Sequence, residues 1–339
     1  MAIVAEHLGL VGAWRLMLVC RAACAGAKVF LATLPRLVVC GGRTGSGGAV
    51  SDVRRLDLAT LRWETMPSLL IAREDHACCT VRGALVVLGG DTSLGILGSV
   101  EMLAEGEGSF TGQPPLTCGG RGGAVAIGVN ESGSAAGQVL LLGGYDEDLD
   151  PVSTVYLVDL ASGICTPQPN LLSNRCHFTA ARLPDGRIVC AEGLSDNAEV
   201  QWSAEVFGPP PPPRGALGAA WIWSDVPALS VVTARYGCRG CVLSDGRFAV
   251  LGGVNSMSES LSSCETLAVN DGEDWEPMSP MHEKRSQFAC VAVAGCVIVA
   301  GGVGTKSAEI FDEVLDRWMR LPYDIPVDGE LYAMGDTLL

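Results

Sequence analysis

The sequence predicts an all-β protein: six four-stranded sheets set radially as the blades of a β-propeller, preceded by a short N-terminal helical segment. Three observations carry that prediction. Apolar runs stop repeatedly on glycine doublets, an acidic strand-like segment follows each doublet region, and an arginine-led segment returns the chain to the next apolar run. A sheet of this size cannot bury both faces alone, but sheets set in a ring can cover one another.

The apolar runs are "LVVCGG", "LVVLGG", "VLLLGG", "FAVLGG" and "VIVAGG", ending at Gly41-Gly42, Gly89-Gly90, Gly143-Gly144, Gly252-Gly253 and Gly301-Gly302. "RIVCAEG" supplies a sixth, with Glu192-Gly193 in place of the pair. The starts of these doublets lie 48, 54, 49, 60 and 49 residues apart, a period suited to a four-stranded unit. Glycine accepts φ > 0, so the doublet lets the chain turn sharply out of the strand. The next element is "VRRLDL", "SVEML", "TVYLVDL", "SAEVF", "SCETLAV" or "SAEIFD".

An aromatic residue then follows. It is Trp63, Trp275 or Trp318 in three units, Trp221 or Trp223 in the fourth and Phe110 in the second, while the third offers only Cys165. A tryptophan here would bury roughly 150–250 Å² between neighbouring blades. A proline turn comes next, at Met66-Pro67, Pro114-Pro115, Pro167 or Pro169, Pro227, Pro280 and Pro322. The unit ends in an arginine-led strand, whose Ala and Gly suit the crowded position nearest the axis.

At the ends, the first unit starts at Leu37 with no clear strand before it unless "VFLAT" (29–33) serves. The last unit runs past Trp318 into "GELYAMGDTLL" (329–339), which is expected to dock as a strand of the first blade and clasp the ring. The boundary between segments falls at 34/35: residues 1–34 helical, 35–339 propeller.

The doublet, the separated aromatic and the arginine-led strand resemble the kelch repeat, over residues from about 36 to 339. The departures are the Glu-Gly doublet, the missing tyrosine after most second-strand acids, and the weak aromatic of units two and three. The resemblance implies a non-catalytic protein-interaction module. "AWRLMLVCRAA" (13–23) in turn resembles the second half of an F-box, although the usual opening Leu-Pro helix is absent. That implies a segment holding the adaptor of a cullin-type ubiquitin ligase through Leu10, Trp14 and Leu18, with the propeller selecting substrate. The alternatives are a helix packed across the propeller edge and a kelch scaffold with no ligase connection.

Kelch propellers resembling this one use the arginine-led and doublet loops as a partner surface. Arg73, Arg121, Arg175, Arg235 and Arg285 fall at matching points of successive units, which a ring would gather at one mouth of the central channel. Five guanidiniums there would suit bidentate capture of an acidic or phosphorylated protein segment. The competing reading is that they bond backbone carbonyls between blades. His76 and His177, just after repeat arginines, read as homologous structural positions.

Composition narrows the rest. A net charge of −15, with +4 in residues 1–50 and hence −19 in the remainder, disfavours nucleic-acid binding. Charges at Glu6, Arg15, Arg21 and Lys28 interrupt the apolar N-terminus, so no span of membrane length is expected. Of 14 cysteines, Cys40, Cys190, Cys290 and Cys296 sit in apolar runs, and Cys238-Arg-Gly-Cys241 has no second pair for zinc. A reduced cytoplasmic or nuclear setting is expected. "GPPPPPR" (208–214) reads as a surface insertion, or as a ligand for proline-binding modules. No metal, cofactor or catalytic motif is read; an oxidase on the same fold is the remote alternative, lacking clustered Tyr and His.

Overall fold

The computed structural model describes residues 2–45, 47–129, 137–209, 220–226, 234–269 and 275–339, with side chains from residue 9 onward. The side chain of His7, the prolines at 210–213 and Pro227 lie outside these. Six antiparallel four-stranded sheets form the blades. Blade 2 illustrates the unit, running from the axis outward as Ala77–Val81, Ala84–Leu88, Val100–Leu103 and Thr111–Gln113.

Blade 1 takes its innermost strand from the far end of the chain. Gly335–Leu338 pairs antiparallel with Leu37–Cys40, Leu37 facing Leu338 and Cys40 facing Gly335. "VFLAT" is not the missing strand. It lies within helix α2 (Arg21–Thr33), where Ala23, Ala27 and Leu31 repeat at helical spacing and are buried. The preceding helix α1 (Ala2–Met17) bends at Gly9, whose φ is +66°.

The core lies between blades rather than within them. Each of six buried apolar clusters draws on two neighbouring blades, as where Leu251 and Cys264 of blade 5 meet Val297 and Phe311 of blade 6. The aromatic position works as the sequence predicts. The Trp318, Trp223 and Trp63 indoles donate to carbonyls of the preceding blade, at Ser279 (2.8 Å), Pro169 (2.9 Å) and Tyr323 (3.4 Å). Trp223, not the half-exposed Trp221, fills the fourth unit, and Phe110 is buried in the second. Trp318→Phe keeps most of the apolar area but orphans the Ser279 carbonyl. A loss of about 1–2 kcal/mol is expected by chemical denaturation.

The doublets do more than turn the chain. The second glycine's N–H donates to the carbonyl of the next blade's arginine position, from Gly90 to Arg121 at 2.7 Å and from Gly144 to Arg175 at 2.9 Å. At Gly89, φ is +64° and a Cβ would lie 2.1 Å from that Arg121 oxygen. Glu192 takes the same left-handed conformation (φ +68°) because its carboxylate finds a partner there, accepting from the Arg235 N–H at 2.8 Å.

The two helices cover one end of the seam between blades 6 and 1. Leu10, Ala13, Ala27 and Leu31 share a cluster with Ile298 and Ile310 of blade 6 and Leu37 and Leu56 of blade 1. No helix among the described residues is long and apolar enough to cross a membrane.

Candidate partner-binding face

The five repeat arginines do stand at equivalent points, but they do not form a basic mouth. All five are buried. Arg175 donates to the Glu192 carbonyl (3.0 Å), the Ser203 carbonyl (3.3 Å) and Oγ (3.1 Å), and Glu205 (2.5 Å). Arg73 repeats the set with Gly89, Ser99 and Glu101, Arg235 with Gly252, Ser263 and Glu265, and Arg285 with Gly301, Ser307 and Glu309. The glutamates also bind the loop leading to the arginine, Glu205 accepting from Leu172 N (2.7 Å) and Ser173 N (3.1 Å). The expectation of guanidiniums offered to an acidic partner is thus corrected. A Ser-x-Glu on the third strand engages each of these four arginines, so they serve within the wheel.

The exceptions follow the same logic. Blade 3 has Tyr156 where the glutamate belongs, and its Arg121 donates to the Gly120 carbonyl instead (2.8 Å). Blade 1 carries Arg54 there and Leu331 at the arginine position. The sequence held this signal in Arg-to-Glu separations of 28, 30, 30 and 24 residues, which the reading of acids and arginines as separate marks missed.

Two residues after each arginine position the chain builds a collar around the axis. Asp75, Gly123, His177, Gly237, Gln287 and Ala333 all have φ between 49° and 59°. Each donates its N–H to the carbonyl of the previous member: Gly123 to Asp75 (2.8 Å), His177 to Gly123 (2.9 Å), Gly237 to His177 (2.7 Å), Gln287 to Gly237 (2.7 Å), Ala333 to Gln287 (2.9 Å), and Asp75 back to Ala333 (2.8 Å). Left-handed backbone costs a non-glycine residue roughly 1 kcal/mol, and the closed circle of bonds offsets it. His76 and His177 are therefore not equivalent. His177 sits in the collar, two residues after Arg175, whereas His76 is three after Arg73 and points into the blade 1 seam, with Nε2 3.5 Å from Cys40 Sγ.

The mouth above the collar is acidic. Asp75 lies 3.5 Å from the Tyr145 hydroxyl, which donates to it, and 3.6 Å from His177 Nδ1. Burial raises the Glu74 carboxyl above its usual range and the neighbouring Asp75 and Asp91 add to this, against the opposing pull of Arg43 at 2.7 Å. Around the mouth the loops after the doublets end in exposed apolar residues: Leu94, Leu149 and Met257, with Trp202 beside them.

Below the collar the innermost strands line a channel. Arg239 and Asp336 meet there at 3.4 Å, with Asp336 also accepting from Cys290 N at 3.1 Å. Burial pushes the Asp336 carboxyl up to about 6 and the Glu192 carboxyl up to about 8. Both lie above the unfolded value of about 4, so the folded state holds these protons more tightly. Stability is therefore expected to rise as pH falls from about 8 towards about 5. Asp336→Asn should remove the lower part of that rise, read as urea midpoints at several pH values.

The N-terminal residues expected to meet an adaptor divide. Leu10 is fully buried against the propeller, and the Trp14 indole donates to the Leu58 carbonyl at 2.7 Å. Those two serve packing, because the helix must cover the blade 6–1 seam. Leu18 is 89% exposed.

Comparison with known proteins agrees with the ring and the repeat. Over 128 residues the chain is 30% identical to Kelch-like protein 33 of Homo sapiens, covering 33% of this chain and 24% of that protein. Over 56 residues it is 43% identical to the F-box/kelch-repeat protein At1g16250 of Arabidopsis thaliana, 15% of each. The fold is a six-bladed β-propeller, and its repeat is similar to that of kelch proteins. The solved structure titled "Structure of YjhT" matches with a TM-score of 0.66 at 12% identity, over 85% of this chain and 98% of its own, which shows the fold alone. No protein-family model matches. This chain spans at most about a quarter of the length of these two curated relatives. Such repeats support a protein-interaction propeller.

Proposed function

We propose that this kelch propeller is a non-catalytic substrate receptor of a cullin-type ubiquitin ligase, working in the cytoplasm or nucleus. The collar face captures the target and the helical end attaches to the adaptor. The observation that carries this reading is the difference between the two ends of the wheel. One end gathers loops from every blade around a collar of six bonds. The other is covered by α1 and α2, beside which Leu16, Val19, Val314 and Leu315 line an apolar cavity of about 540 Å³. The name of the Arabidopsis relative, which joins F-box and kelch, supports the ligase connection.

Deleting the helices would strip the blade 6–1 seam, so the test uses exposed positions. The double variant Leu18→Glu/Val19→Glu should lose recovery of the ligase adaptor in a pull-down while keeping its melting temperature. Unchanged recovery, or none from the wild-type chain, rejects the ligase role. A scaffold propeller is the second reading, favoured by the burial of Leu10 and the packing of the half-buried Trp14.

A further inference from the structure

We propose that the collar face takes a basic protein segment, a lysine or arginine flanked by apolar residues, with the cation over the acidic mouth and its neighbours on the apolar loop tips. This rests on the reading of that face as the capture surface and adds the chemistry of what is captured.

Three observations support it. The repeat arginines, which would have made the mouth basic, are buried in their own blades, and Arg43 at the rim is held by Glu74. Carboxylates outnumber cations on this face: Glu74, Asp75 and Asp91 stand half-buried at the mouth, Glu74 beneath the more exposed Arg43, and Asp148, Asp150, Glu199 and Glu259 stand exposed on the loops around it. An acidic partner would add like charge to a group whose carboxyl is already raised by burial and by its neighbours. A cation relieves that crowding, as charge complementarity at interfaces requires.

The apolar part comes from chain geometry. Leu94 (97% exposed), Leu149, Trp202 and Met257 belong to the doublet-side loops of successive blades, so the ring places them around the collar rather than scattering them. Large exposed side chains gathered at one end of the ring are a surface suited to binding, with the acids giving register. A second copy of this chain would bring the same negative face against itself, and nucleic acid is repelled in the same way.

The test pans a random peptide library displayed on phage against the full chain, then titrates the enriched peptides as synthetic fluorescent probes. Enriched sequences are expected to carry Lys or Arg beside Leu, Ile, Val or an aromatic residue. Affinity should fall on the order of tenfold in the combined variant Asp148→Asn/Asp150→Asn/Glu199→Gln/Glu259→Gln, whose side chains are exposed, and should weaken as salt is raised. Leu94→Ser/Met257→Ser should weaken the same peptides, with circular dichroism melts confirming that every variant folds. Acidic or uncharged peptides that still lose binding in Leu94→Ser/Met257→Ser would overturn the basic-partner inference and leave the capture face standing. No enrichment, or peptides indifferent to both sets of variants, would overturn both.

Discussion

Removing residues 335–339 is expected to abolish cooperative folding. The segment is short but holds the ring at four places. Its strand pairs with Leu37–Cys40, and Arg36 and Leu339 exchange backbone bonds at 2.8 and 3.0 Å. The Thr80 hydroxyl of blade 2 donates to the Leu338 carbonyl at 2.5 Å, and on the other side Asp336 reaches Arg239 and Cys290 N. Without it, the inner edge of Leu37–Cys40 is an unpaired strand edge, and the seams of blade 1 with blades 2 and 6 open to water. A circular dichroism melt should show no sigmoidal transition, and size exclusion should show aggregate. A truncated chain melting within a few degrees of the intact one would refute closure by this strand as the source of stability.

Arg175→Leu is expected to cost about 3–5 kcal/mol in chemical denaturation. It strands Glu205 without its cation in a seam from which water is excluded. The pair itself need not be worth that much, since two charges must lose water to form it. Arg175→Leu/Glu205→Leu should therefore recover part of the loss, the remainder reflecting the Leu172 and Ser173 N–H groups that lose their acceptor. Arg121→Leu supplies the internal control. With Tyr156 at the glutamate position no carboxylate is stranded, and the cost should be clearly smaller. Equal costs at Arg121 and Arg175 would show that the glutamate is not what makes the arginine matter.

The regularity that made the fold readable also misled the reading of the site. Glycine doublets, tryptophans and arginines recur because each blade repeats the same covering problem, so a period near fifty exposes all of them. Periodicity reports what the repeat needs, and what it needs is structural. Arg73, Arg175, Arg235 and Arg285 recur because each closes a blade, and that is why they are buried. The proposed partner face comes from the positions that vary. Leu94, Leu149, Asp150 and Met257 share no motif, and only the ring puts them at one end. The collar was hidden for a related reason. Asp75, Gly123, His177, Gly237, Gln287 and Ala333 share only a backbone conformation, and six different neighbourhoods in the chain give it no common side-chain mark.

The amino-acid order alone determined the unit, its number and the strand that shuts the wheel, because burial of small sheets demands a repeated apolar and glycine pattern visible along one dimension. Only the folded ring decided which charges are spent inside and which face outward. Arg175 and Glu205 stand 30 residues apart in the chain and 2.5 Å apart in space. Whether a charge reaches water depends on that kind of proximity, and proximity exists only once the blades have closed.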